Sequence, residues 1–196
     1  MIWIGWRGLG GAALAAALMI SGGARAETIA APPMAPGADA HDGLHDFDFA
    51  MGSWKAHLKK LDKPLTGSTH WIEYEGTSVM HKVFGDRANE EVFSVDGKEA
   101  GQHLEGQTLR LYDPAAHQWS IYGVDAAKGM LGLPPTVGQF QGKVGHFYDY
   151  EQWRGRWILV RYQWTDISPQ AAQMIQSFSI DGGKTWEPNW ICDLTR

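Results

Sequence analysis

The sequence predicts an all-β protein, a single antiparallel up-and-down β-barrel of about 8–10 strands. Two observations predict it. From residue 45 onward, short segments rich in β-branched and aromatic residues alternate with turn signals such as Asp96-Gly97, Arg154-Gly155 and Asp181-Gly182-Gly183, and no stretch carries three turns of helical periodicity. Nearly every such segment is followed by a tight turn. Sequential strands therefore pair, and closing the sheet on itself removes both unpaired edges.

Residues 1–26 read as a signal peptide. Arg7 supplies the basic start, Leu9 to Ile20 an apolar run, and Ala24-Arg25-Ala26 a small-x-small cleavage site. The run is too short for the roughly 20 residues of a spanning helix. Cleavage after Ala26 would place the chain in the periplasm or outside the cell, with no membrane insertion afterwards. Residues 27–44 form an Ala- and Pro-rich leader without regular structure, and residues 45–196 form the barrel domain. Its strands are read at Ser53–Leu61, Thr69–Tyr74, Ser78–Phe84, Glu90–Val95, Leu104–Tyr112, Gln118–Val124, Thr136–Gln141, Gly145–Gln152, Trp157–Trp164, Gln173–Ile180 and Trp186–Leu194. Two connections are longer. The stretch Asp125 to Pro135, with Met130, Leu131 and Leu133, suits either a lid over the barrel mouth or a plug in its end. Asp166 to Ala172 suits a single helical turn.

With Arg7 and Arg25 removed, the formal charge is (17 − 2) − 22 = −7. An acidic chain without clustered Lys and Arg argues against nucleic acid as a partner. Cys192 is the one cysteine, so no internal disulfide can form, and its apolar flanks read as a buried, inert thiol. The high Trp content suits a thick core or an aromatic-walled cavity.

The opening Asp46-Phe47-Asp48-Phe49-Ala50-Met51-Gly52-Ser53-Trp54 is the most distinctive segment. Gly52 and Trp54 resemble the G-x-W signature of lipocalins and other calycins. That resemblance implies a Trp54 ring across the closed end, covered by the guanidinium of Arg196. The F-D-F-x-x-G-x-W opening, Leu109-Arg110-Leu111-Tyr112-Asp113-Pro114 and the hairpin before Asn189-Trp190-Ile191 together resemble a bacterial family of secreted proteins without an assigned activity. The likeness implies a calycin/lipocalin-like barrel and carries no catalytic residues. Ser179 to Trp186 matches the Asp-box of sialidases, but in a single copy. Asp181 and Trp186 therefore read as structural residues of a hairpin turn.

A small-molecule ligand follows from the architecture. Arg110 and Tyr112 share one strand face about 7 Å apart, and with Arg161 they could hold the anionic end of a ligand. Surface ion pairs would use the same arginines, and two-residue alternation leaves the choice of inner face open. Trp71, Tyr74, Trp119, Tyr148, Tyr150, Trp164 and Trp190 are candidate aromatic walls for a partly apolar, anionic or aromatic ligand. An enzyme without a cofactor (a lyase, isomerase or cyclase) would use a barrel Tyr with His70, His81 or His103 as general base. Either His70 or His81 could instead serve haem as its single proximal ligand. His41 and His45 with Asp42, Asp46 and Asp48 could be assembled into a metal site, but no helix frames that spacing, so no metal is expected and Asp46 and Asp48 are read as turn and hydrogen-bonding residues. A barrel packed solid is the remaining alternative.

Overall fold

The computed structural model describes residues 41–126 and 128–196; the expected signal peptide and residues 27–40 of the leader lie outside them. A 3-10 turn over Asp48–Ala50 leads into eleven strands: β1 (Gly52–Leu61), β2 (Trp71–Val83), β3 (Ala88–Gly97), β4 (His103–Asp113), β5 (Gln118–Asp125), β6 (Met130–Leu131), β7 (Thr136–Gln141), β8 (Val144–Trp153), β9 (Arg156–Thr165), β10 (Ala171–Ser179) and β11 (Glu187–Thr195). All pairings are antiparallel. β1 joins β11, β4 joins β5, and ten strands close into an up-and-down barrel, with the two-residue β6 paired to β5 outside the ring.

Tight turns set the registers. Arg154 and Gly155, at φ 50° and 79°, form the two-residue link between Trp153 and Arg156. Both central residues at positive φ give a turn whose twist matches that of the strands it joins. In the β10–β11 hairpin, Asp181 accepts from the Thr185 amide at 2.9 Å and hydroxyl at 2.7 Å, while Trp186 Nε1 donates to the Gly183 carbonyl at 3.0 Å. The Asp-box residues are thus a turn device. Those bonds, the Thr185 amide first, hold the Asp181 carboxyl down at about 2. A depressed folded pKa contributes stability that is present above the unfolded value near 4 and is lost as pH falls towards 2. Asp181→Asn should remove that part of the acid transition, read as a flatter melting temperature between pH 4 and 2. An unchanged profile would show that the turn does not depend on the charge.

Three sequence expectations are corrected. Thr69–Tyr74 and Ser78–Phe84 are one long strand, β2, with no turn at Glu75-Gly76. Gly76 is there because backbone packs against it: an added Cβ would lie 2.1 Å from the Ser94 carbonyl oxygen. Asp166 to Ala172 contains no helix. Ser168 Oγ instead accepts from the Ala171 amide at 3.0 Å in a bend. Order also begins before residue 45, since the Gly43 carbonyl accepts from Trp119 Nε1 at 2.9 Å.

One end of the barrel is sealed. Phe47 is 1% exposed and meets Trp119, Phe140, Phe147 and Trp164 with ring centroids 5.0–5.9 Å apart. Trp54 Nε1 donates to the Ala50 carbonyl at 2.7 Å. Arg196 covers the Trp54 ring at 3.8 Å and donates to the Phe49 carbonyl at 3.2 Å. The guanidinium therefore ties Arg196 to the opening turn, and its place over the Trp54 ring is the contact expected for Arg196. Among the described residues, no helix is long and apolar enough to cross a membrane.

Candidate functional site

Side-chain alternation along the strands now fixes the inner face. Trp54, Ala56 and Leu58 on β1, Glu91, Phe93 and Val95 on β3, Thr108 and Arg110 on β4, Tyr162 and Trp164 on β9, and Trp190, Cys192 and Leu194 on β11 point inward. Above the aromatic seal they enclose a cavity of about 80 Å³. Ile121, Gly123, Met174 and Gln176 complete its lining. A water-sized site takes about 10–15 Å³ on this scale, so the enclosed part accommodates a short chain or a single ring.

At the cavity wall lies a buried charge pair. Arg110 is 2% exposed and donates to the Glu91 carboxylate, and its Nη1 also reaches Asn89 Oδ1 at 3.0 Å. The other Glu91 oxygen accepts from Ser78 Oγ at 2.7 Å. Phe47 and Trp164 cover the guanidinium, with centroids 5.0 and 5.6 Å away. The fork expected to clamp a ligand carboxylate is engaged by a carboxylate of the protein itself. Arg110 thereby faces inward but is charge-compensated.

Its two expected partners lie elsewhere. Tyr112 sits in the sealed end, donating to the Asp42 carboxylate at 2.7 Å, and burial pushes its hydroxyl pKa up. Arg161 is on the outer face of β9, over the Trp186 ring at 4.5 Å. The three do not converge.

Of the aromatic candidates, Trp164 and Trp190 line the cavity. Tyr74 is buried in the core, and Trp119 belongs to the seal. Trp71 precedes the inward Ile72 and so faces outward. Tyr148 and Tyr150 are also outside, near Trp186 and stacked on Trp157 respectively. The histidines do not enter the interior either. His70 is exposed, His81 lies 3.3 Å from Glu90, and His103 is 2.8 Å from Asp96 on the surface. None of the eight histidines lines the cavity, so it offers neither an imidazole base nor a proximal haem ligand. Among the described residues, no group of three or more His, Cys, Asp or Glu could hold a metal.

Cys192 belongs to the lining rather than to solid core, and burial pushes its thiol well up, so it stays protonated. Asp149 and Glu151 face inward from β8, and burial raises both carboxyls. The β5–β7 connection is no plug: Met130 and Leu133 are 54% and 73% exposed at the end opposite the seal. Sequence reasoning missed Glu91, Tyr162, Met174 and Gln176, and also Lys60. The signal for Lys60 was present in the run Trp54, Ala56, Leu58, Lys60, where every second residue looks inward.

A closed ten-stranded meander, sealed at one end and holding a walled cavity, defines a β-barrel with an internal cavity. Among solved structures, the chain is similar to the S-type phycobiliprotein lyase CPES from Guillardia theta, with a TM-score of 0.52 and 11% identity over 80% of this chain and 93% of that one. At that identity the likeness is one of fold. No protein-family model matches the sequence, and no curated protein matches it.

Proposed function

We propose that this chain is an exported small-molecule-binding barrel that takes the apolar part of a small amphipathic ligand into its interior, with no resident cofactor. The observation that supports the reading is the cavity between the aromatic seal and the mouth. Its walls are mainly apolar, with a few placed polar groups in Glu91, Thr108, Arg110, Tyr162 and Gln176, which is the make-up of ligand pockets generally. A barrel serving only as a structural block would close such a space with side chains, because packed interiors leave few voids larger than a water. Residues 1–26 carry the proposal of export, and the placement in the periplasm or outside the cell goes with it.

Octanamide, a neutral chain with one polar end, is a suitable probe, since each buried CH₂ contributes about 0.8 kcal/mol. Isothermal titration of the mature chain should show saturable binding of one octanamide per barrel. Met174→Trp, which fills the lining from β10, should abolish it while far-ultraviolet dichroism keeps the β signature. Wild-type protein that binds neither octanamide nor octanoate would overturn the reading. So would binding that survives the filled cavity.

A further inference from the structure

Two cations point into the barrel from strands around the cavity, and they differ in what meets them. Arg110 is enclosed by Glu91, Asn89 and two aromatic faces. Lys60 is two residues beyond Leu58 on the same face of β1, so its side chain is directed inward on the mouth side, just beyond the residues that line the cavity. Its cross-strand partners are Ile72 on β2 and Trp190 on β11, which also face inward. Lys60 makes no hydrogen bond or ion pair with any described residue. Asp62, the acid that acts on it, lies 3.6 Å from the Lys63 ammonium. The inward carboxyls of β8 are four strands away around the ring.

A partly buried ammonium without an ion-pair partner is costly. The cost shows in its acidity: desolvation lowers the Lys60 pKa, opposed only by Asp62.

Resting on the binding reading above, we propose that Lys60 is the headgroup site of the barrel: it receives the carboxylate of a short-chain or single-ring carboxylic acid whose apolar part lies in the cavity. The ligand supplies the ion-pair partner that Lys60 lacks among the described residues. Its tail passes Trp190 and Leu58 towards Trp164, and its head stays at the mouth, where water completes the solvation of the carboxylate. Lys suits this position as a compact point charge on a flexible stem, which needs no planar fork to be matched. The small enclosed volume sets the size class, and the engaged state of Arg110 sets the polarity of the ligand, head outward.

The test compares octanoate with its neutral counterpart octanamide by titration calorimetry on the mature chain at pH 7. Wild type should bind octanoate at least tenfold more tightly than octanamide. Lys60→Met keeps the stem and removes the charge, so it should erase that preference and leave octanamide affinity within about twofold. Lys60→Arg should restore the preference, and Lys59→Met, which removes an outward lysine on the same strand, should not alter it. Folding of Lys60→Met is checked by its melting temperature, which should not fall, because an uncompensated charge is being removed. Equal binding of the two probes by wild type would overturn the headgroup assignment and leave the binding reading standing. A preference that persists in Lys60→Met would do the same. Loss of all binding to wild type would remove the assignment together with the reading beneath it.

Discussion

Replacing Glu91 by alanine is expected to destabilise the barrel by about 3–5 kcal/mol, because it strands the Arg110 guanidinium in a site where it is 2% exposed. Both charges of the pair were desolvated on folding, and each is held in place by the other and by neutral partners, Asn89 for Arg110 and Ser78 for Glu91. Removing the carboxylate leaves the desolvation of the cation unopposed beneath the Phe47 and Trp164 rings that cover it. The urea midpoint should fall by about 2 M at ordinary slopes for a domain of this size. Replacing the pair together, as Glu91→Met with Arg110→Met, should cost far less than the single change, since an ion pair exchanged for apolar groups of similar volume is near neutral. A single-mutant loss under about 1 kcal/mol would mean that water reaches the pair after all.

The second large effect is at the seal. Phe47→Ala should cost about 3–5 kcal/mol through lost burial and the cavity left behind. Four rings lie within 6 Å of the Phe47 centroid, three of them edge-on, and such pairs add about 0.5–1.5 kcal/mol each beyond area. Phe47 is not in a strand, so the sheet can survive its loss. The signature should be a lowered melting temperature with β dichroism retained and Trp fluorescence shifted to the red, as Trp119 and Trp164 become wet. Unchanged fluorescence and stability would show that the opening turn is not the stopper its packing describes.

The fold was legible because barrel meanders write their turns into local chemistry. Arg154-Gly155 and Asp181 to Trp186 each specify a hairpin without help from the rest of the chain. The error at Glu75-Gly76 has a physical origin. Glycine marks both a turn and a close backbone approach, and only the Ser94 carbonyl on the neighbouring strand tells which applies. The interior was less legible. Arg110 and Arg161 look alike in sequence, each flanked by apolar residues, yet one is enclosed by Glu91 and the other stacks on Trp186 outside. The partner decides, and partners come from strands distant in sequence. Lys60 was hidden differently. A lysine in a run of Lys59-Lys60 reads as a solvated edge until the alternation from Trp54 is counted through to it.

The pairing of β1 with β11 has a consequence for how the protein is assembled. Lys55 is hydrogen-bonded across to the neighbourhood of Thr195, and the final residue, Arg196, is bonded to the backbone of the opening turn. Every other seam of the ring joins segments close in sequence, so those hairpins can form as the chain becomes available. This one joins the first strand to the last. Until the closing segment arrives, β1 presents an unsatisfied backbone edge, and the interior stands open along that side. Strand β11 therefore acts as the latch of the barrel. A chain shortened there should resemble an open curl with a sticky rim rather than a slightly smaller barrel.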